Sequence, residues 1–204
     1  MYLFNSMQIV YESKVGNFRM EDFKNLNETR IESEEIYDGQ VVHLYKDTVE
    51  LPNGKCATRE TIRHVGAVAI VPLTEDGKVV VERQFRYPLD CVITEIPAGK
   101  LDSKSEDRLS AAKRELEEET GLIASDWMEL GDYYPAAAYT DEVITMYLAR
   151  GLQKGTRNLD EDEFLNIMEV SLDELVEEIM QGKIADGKTQ VALLKVSHMR
   201  NQLS

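Results

Sequence analysis

Three glutamates near the middle of the chain have a spacing that suits metal chemistry. Glu115, Glu118 and Glu119 stand at i, i+3 and i+4, so in a helix their side chains share one face. Like charges at this spacing destabilise a helix by about 0.2–0.5 kcal/mol per pair, and the last turn of a helix favours cations. A divalent cation would remove this conflict, and carboxylate oxygens without Cys or His suit Mg²⁺ or Mn²⁺ rather than zinc. These residues alone leave a solvated acidic face open as the alternative.

The element that must hold these acids is a helix predicted over residues 106–120. Its apolar residues recur at helical spacing, namely Leu109, Ala112 and Leu116. Gly121 stands where a C-terminal cap is expected. Arg114 precedes Glu118 by four residues, so we expect it to pair with Glu118 and hold it in position.

Strands are predicted on both sides of this helix. Residues 37–63 have strand patterns interrupted by the turn Asn53-Gly54. Further strands are predicted at residues 66–73, 78–85, 93–97, 127–134 and 142–149. Ser171 and Glu174 form a capping-box pattern before a helix to about Gln181, and a last helix is predicted over residues 188–199. This order of elements favours an α/β sandwich around a mixed sheet.

The charge of the chain limits its partners. The 204 residues have a formal net charge of -15, which disfavours binding to nucleic acid. A small anionic substrate would need metal ions or local cations to offset the negative field. No membrane span or signal peptide is apparent, and the two cysteines form no CxxC pattern. We therefore expect a cytoplasmic protein without a membrane partner.

The acidic helix carries a family resemblance. Gly99, Glu106 and residues 114–122 resemble the Nudix box, in which a Gly and a Glu precede the pattern REUxEExGU, with U an apolar residue. Every fixed position from Glu106 onward matches. Six residues separate Gly99 from Glu106, one more than is usual in the family, and the extra residue falls in the loop before the helix.

The resemblance extends over residues 36–196. The segments TRETIRHVGAVAIVPL, VERQFRYPL and TEIPAGKL are similar to the ADP-ribose pyrophosphatase branch of the Nudix hydrolases. It implies an α/β/α sandwich around a mixed β-sheet, and a homodimer formed with an N-terminal β arm. The corresponding domains are a poorly patterned extension at 1–35, the arm at 36–63 and the Nudix hydrolase domain at 64–204.

The resemblance also implies a reaction and its residues. The reaction is metal-dependent hydrolysis of the diphosphate in a nucleoside diphosphate linked to another group, with ADP-ribose giving AMP and ribose 5-phosphate. The implied metal ligands are the Ala98 carbonyl and the carboxylates of Glu115, Glu119 and Glu163. The implied catalytic residues are Glu161 as the base, Glu118 and Arg114. The implied substrate-binding residues are Arg59, reaching the phosphates from the partner subunit, Arg86 and Glu142. Glu95 is expected at the rim of the metal site.

Two alternatives to ADP-ribose hydrolysis remain open from the sequence. Ala137 stands where this branch commonly has a proline, so another nucleoside diphosphate sugar is one alternative substrate. A non-catalytic Nudix nucleotide-binding module is the other reading. Such a module would be expected to lose acids from the box, whereas this chain keeps Glu115, Glu118 and Glu119.

Overall fold

The computed structural model describes residues 26–159 and 164–203. The chain divides into two compact units, Met1–Ile62 and Arg63–Ser204. Each unit has its own sheet structure. Among the described helices, none has the length and apolar character that crossing a membrane requires.

The first unit contains a three-stranded sheet in the order β1-β2-β3. Its strands are β1 (Thr29–Asp38), β2 (His43–Glu50) and β3 (Cys56–Arg63), the last of which ends at the first residue of the second unit. The predicted turn is present, because Gly54 has a φ of 77° and its N–H donates to the Leu51 carbonyl at 2.9 Å. The arm starts earlier than the expected residue 36. All ten residues of β1 are exposed, so no hydrophobic alternation marks this strand in the sequence.

The second unit contains two sheets. The mixed sheet has the order β7-β4-β9-β8, and an antiparallel sheet has the order β10-β5-β6. The bounds of the strands are β4 Ala67–Pro72, β5 Lys78–Arg86, β6 Cys91–Glu95, β7 Ala98–Lys100, β8 Leu122–Tyr133, β9 Ile144–Lys154 and β10 Leu165–Ser171. Strands β4 and β9 pair in parallel, whereas their outer neighbours β7 and β8 pair with them antiparallel.

Strand β4 explains how the core is layered. Every residue of β4 is buried, because successive side chains point to opposite faces of the sheet and both faces are covered. Ala69 and Val71 join an apolar cluster shared with α2 and α3, and Val68 and Ile70 join a cluster shared with α1. The sheet is thus sandwiched between helices, which confirms the predicted α/β class.

The described part of this unit also contains three α-helices: α1 (Arg108–Thr120), α2 (Leu172–Met180) and α3 (Gly187–Leu203). Helix α1 starts two residues later than residue 106, because Asp107 is its N-cap and accepts from the Ser110 N–H at 2.9 Å. Gly121 ends α1 in the left-handed conformation, as predicted. The predicted capping box at Ser171 is not made, since the side chain of Ser171 forms no capping hydrogen bond.

One aromatic pair lies beside α1. Trp127, the single tryptophan of the chain, meets Tyr147 edge to face with ring centroids 6.2 Å apart. Its indole N–H donates to the Ala124 carbonyl at 3.0 Å. Trp127 packs against the apolar cluster that contains Leu116 of α1.

Candidate active site

Arg114 is the centre of an ion-pair network on α1. One guanidinium nitrogen, Nη1, donates to Glu115 Oε1 at 2.7 Å and to Glu118 Oε2 at 3.0 Å. The other, Nη2, lies 3.5 Å from Glu106 Oε1. Burial lowers the pKa of Arg114, but the carboxylates of Glu115 and Glu118 outweigh that effect and raise it above its ordinary value. The expected pairing of Arg114 with Glu118 is therefore present.

Glu119 faces the strand that starts beside the helix. Its Oε2 accepts the backbone N–H of Ala98 at 3.0 Å, and Glu119 is only 5% exposed. Ala98 is the first residue of β7. This contact brings together two of the predicted metal-site residues, Glu119 and Ala98.

Gly99 makes room for Glu115. A Cβ added to Gly99 would lie 2.0 Å from the carboxyl carbon of Glu115 and 2.2 Å from each of its oxygens. Glu115 is 9% exposed, so its carboxylate is pressed against this backbone with little room to retreat. The observed position of the Glu115 carboxylate thus leaves no room for a side chain at residue 99. The extra residue in the following loop does not disturb this contact.

The oxygen atoms on and beside α1 are of the kind that a hard divalent cation prefers as ligands. Buried or half-buried carboxylates outnumber the single arginine among them, and backbone carbonyls lie nearby on β7. The Arg114 Nε is buried and has no hydrogen-bond partner among the described residues. Within those residues, no three Asp, Glu, His or Cys side chains are gathered closely enough to hold a metal ion. In this arrangement Arg114 is the cation that pairs with Glu115 and Glu118.

The segment after β9 caps the C-terminus of α1. The Arg157 Nε donates to the Glu119 carbonyl at 2.7 Å, and its Nη2 donates to the Leu165 carbonyl at 3.2 Å. The Asn158 N–H donates to the Glu118 carbonyl at 3.0 Å. Arg157 therefore supplies the cation that the last turn of α1 lacks in its own sequence. No local sequence pattern predicts this role, because Arg157 is 38 residues from its partner.

A second charged cluster joins the antiparallel sheet to α3. Glu95, at the end of β6, is 2% exposed. Its two oxygens accept from the Arg86 Nε and the Lys188 Nζ, both at 2.7 Å. Burial lowers the pKa of Arg86, whereas the bond and charge of Glu95 raise it, and the net direction is upward. The sequence predicts Arg86 and Glu95 near the site, but no local pattern predicts Lys188, which is 93 residues from Glu95.

Comparison with known proteins identifies the family. The NUDIX domain model matches residues 63–191, and the model of the nucleoside diphosphate sugar hydrolase N-terminal domain matches residues 28–62. The chain belongs to the Nudix family.

Relatives of this Nudix protein cover most of its length. ADP-ribose pyrophosphatase of Bacillus subtilis (strain 168) is 42% identical over 172 residues, which are 83% of this chain and 92% of that protein. Methanol dehydrogenase activator of Bacillus methanolicus is 44% identical over 172 residues, with the same two coverages. The crystal structure of an ADP compounds hydrolase covers 86% of this chain and 96% of its own, with a TM-score of 0.77 and 23% identity.

These comparisons confirm several expectations from the sequence. The chain is a Nudix hydrolase similar to ADP-ribose pyrophosphatases, and the solved structure confirms the fold. Enzymes of this family generally use divalent metal ions, in agreement with the donor set on α1.

Glu142 lies on the loop before β9 of the Nudix domain. Its N–H donates to Thr140 Oγ1 at 3.1 Å, and its Oε1 lies 3.9 Å from the Nδ1 of His64. That Nδ1 accepts the Gly66 N–H at 3.0 Å, so it carries no proton while this bond is made. The contact between His64 and Glu142 is then not an ion pair.

Arg59, Glu161 and Glu163 are the remaining predicted site residues. Arg59, on β3 of the first unit, forms an ion pair with Glu28: its Nε donates to Glu28 Oε2 at 2.9 Å. This hydrogen bond raises the pKa of Arg59. Glu161 and Glu163, predicted as the base and a metal contact, lie outside the described residues.

Proposed function

We propose that this Nudix hydrolase cleaves the diphosphate of ADP-ribose, giving AMP and ribose 5-phosphate in a Mg²⁺-dependent reaction, with Mn²⁺ as a possible substitute. The observation that carries the proposal is the acidic face of α1, where several carboxylates share one arginine and Glu115 fits against Gly99. ADP-ribose is favoured over other substrates because a relative named for that activity matches 83% of the chain.

In the proposed site, the metal ion would be held by Glu115, Glu119, the Ala98 carbonyl and Glu163. A bound divalent ion neutralises phosphate charge and lowers the pKa of a bound water. Glu118 adds a further carboxylate, and Arg114 keeps Glu115 and Glu118 in place. Glu161 is proposed to accept a proton from the attacking water, a role for which a carboxylate is sufficiently basic once the pKa of that water is lowered.

Substrate binding is proposed to use arginines, since a diphosphate must approach an acidic site. The side chain of Arg86 is 40% exposed. Arg59 is proposed to act in a homodimer formed with residues 36–63, after leaving its pair with Glu28. Glu142 is proposed to contact the substrate from its loop. Sedimentation at micromolar concentration tests this part, because a stable monomer would contradict both the dimer and the role of Arg59.

Another nucleoside diphosphate sugar is the second candidate substrate. The match of residues 28–62 to the N-terminal domain of nucleoside diphosphate sugar hydrolases supports it, as does Ala137 at the usual proline position. A cytoplasmic location is also part of the proposal, since Cys56 and Cys91 are exposed free thiols, which is typical of a reducing compartment.

The decisive experiment is product analysis by chromatography. The protein is incubated with ADP-ribose and, separately, with several nucleotide sugars, each with Mg²⁺ and each with excess chelator. We expect AMP and ribose 5-phosphate from ADP-ribose, at a higher kcat/KM than for the other substrates, and no product with chelator. Faster cleavage of a nucleotide sugar would favour the second candidate. Absence of cleavage of every substrate would favour a non-catalytic binding module.

A further inference from the structure

Lys188 has an environment that works against a lysine. It is the second residue of α3, where the helix dipole favours anions. It is also only 8% exposed, and burial disfavours an ammonium group. Ordinary stability does not account for such a placement, since a buried ion pair is often no more stabilising than an apolar pair of similar size.

The ammonium group of Lys188 is fixed by two carboxylates. It donates to Glu95 Oε1 at 2.7 Å and lies 3.1 Å from Asp186 Oδ2. Asp186 is itself held at the start of α3, because it accepts the Thr189 N–H at 2.9 Å and the Thr189 hydroxyl at 2.6 Å. The Thr189 hydroxyl also accepts the Ile96 N–H at 3.0 Å. The start of α3 therefore binds the segment that leads into β7 at two points, the backbone of Ile96 and the side chain of Glu95.

Glu95 connects Lys188 to Arg86, because its carboxylate binds both side chains. One carboxylate oxygen of Glu95 binds Lys188, and the other accepts from the Arg86 Nε at 2.7 Å. The Nε contact fixes the plane of the Arg86 guanidinium, whose two terminal nitrogens remain as a fork suited to phosphate oxygens. An arginine at a half-exposed position otherwise loses rotamer entropy when it is ordered on a ligand.

We propose that Lys188 is a positioning residue for substrate binding, which holds the Glu95 carboxylate so that Glu95 orients the Arg86 guanidinium toward the substrate diphosphate. The inference rests on the proposed function in one respect, namely that Arg86 binds the diphosphate. Lys188 itself does not touch the substrate in this arrangement. Its effect is on affinity, since it preorganises a binding group and takes no part in the chemical step.

The test measures whether Lys188 acts through Arg86. Binding of inorganic pyrophosphate with Mg²⁺ is measured by calorimetry for the wild type, Lys188→Met, Arg86→Met and the double variant. We expect Lys188→Met to weaken binding by roughly 10-fold to 10²-fold, and to have almost no further effect once Arg86 is absent. For the substrate cleaved, KM should rise much more than kcat falls. Lys188→Arg should restore part of the affinity, and the exposed Lys183→Met should bind as the wild type does.

Folding is controlled with a charge-matched variant. Lys188→Met leaves Glu95 buried without its ammonium partner, which can destabilise the fold. Lys188→Met combined with Glu95→Gln removes both charges, so it should melt closer to the wild type and still bind pyrophosphate weakly. Wild-type affinity in this folded double variant would overturn the proposal.

The remaining outcomes separate this inference from the proposed function. If Lys188→Met weakens pyrophosphate binding equally with and without Arg86, its role is merely structural and the proposal fails, even if ADP-ribose is cleaved. If the wild type cleaves no substrate but the two substitutions are non-additive in binding, the proposed function fails and the positioning role stands. Absence of pyrophosphate binding by the wild type overturns the positioning role.

Discussion

Two groups of carboxylates in the Nudix domain differ in how their charge is balanced. At α1, three carboxylates share the cation Arg114: that of Glu106, which lies just before the helix, and those of Glu115 and Glu118 within it. At the start of α3, two carboxylates, Glu95 and Asp186, meet two cations, Arg86 and Lys188. The first group keeps an excess of negative charge and is open to another cation. In the second, the ion-paired carboxylates and cations are equal in number, and Glu95 holds the arginine through its Nε.

This difference agrees with the proposal that the α1 group binds the metal ion and that Arg86 of the other group binds the substrate. Excess carboxylate charge at the end of a helix is unfavourable until a cation arrives. A balanced buried cluster gains nothing from a metal ion, but it can preorganise the donor that it contains.

Removal of one charge from α1 should abolish most activity. For Glu118→Gln we expect kcat to fall roughly 10²-fold to 10³-fold, because an electrostatic contribution to the transition state is lost. The melting temperature should not fall, since one repulsive carboxylate has been removed. Steady-state kinetics at several Mg²⁺ concentrations and calorimetric melting measure the two effects.

Glu117→Gln is the matched control for Glu118→Gln. It makes the same change on the same helix, and its side-chain oxygen can still accept the Thr156 N–H, which lies at 3.2 Å. Its activity should be close to that of the wild type. Full turnover by Glu118→Gln, or by the wild type in excess chelator, would contradict the metal assignment.

Closing the space beside Gly99 should weaken metal binding. In Gly99→Ala, the new methyl group overlaps the Glu115 carboxylate, so we expect a loss of metal affinity of roughly 10-fold to 10²-fold. Titration of activity with Mg²⁺ measures it. Gly182→Ala is the control, because Gly182 has a φ of 73° but nothing within 4 Å of its added Cβ. It should lower stability through backbone strain and leave the Mg²⁺ dependence unchanged; an unchanged dependence in Gly99→Ala would refute the steric argument.

The cation at the end of α1 should contribute to stability. Arg157→Met removes hydrogen bonds from a charged donor to the Glu119 and Leu165 carbonyls, and we expect the free energy of unfolding to fall by about 1.5–3 kcal/mol. Urea denaturation measures the loss. Arg150→Met is the comparison, since Arg150 forms an exposed pair with Asp126 that should contribute only about 0.2–1 kcal/mol. Equal losses in the two variants would argue against a capping role for Arg157.

The smallest effect is expected at the start of α1. Hydrogen bonds from Ser110 lower the pKa of the N-cap Asp107 below 3.8. A carboxyl with a lowered folded-state pKa stabilises the protein above its ordinary pKa, and this stabilisation is lost as the pH falls through the folded value. Asp107→Ala should therefore melt lower than the wild type at neutral pH, and the difference should shrink below pH 3.8. Asp107→Asn keeps a capping oxygen but loses the charge, so at neutral pH it should melt between Asp107→Ala and the wild type.

The sequence predicted those parts of the fold that leave a periodic or local signal. Buried β4, helix α1 and the cap at Gly121 follow from apolar runs, helical spacing and glycine placement. Strand β1 starts before the predicted arm. Its start leaves no pattern of alternating apolar residues in the sequence, because all residues of the strand are exposed. The prediction of a capping hydrogen bond from Ser171 was wrong, although the predicted helix after it is present.

The candidate site was predictable where its residues are close in the sequence. Arg114 and Glu118 are four residues apart, and their contact is present as expected. Arg157 and Lys188 contact partners that are 38 and 93 residues away. Such contacts depend on how strands and helices pack. This packing cannot be read from residue types and their spacing in the sequence.

The single tryptophan of the chain gives the protein an intrinsic optical reporter. Trp127 packs on Tyr147 and against the cluster that includes Leu116 of α1, and no second indole contributes to the signal. Indole emission depends on the polarity around the ring, so a shift of α1 on metal binding should change its wavelength or intensity. A fluorescence titration with Mg²⁺ can therefore follow a shift of α1 on metal binding in the unmodified protein, without added dye or label.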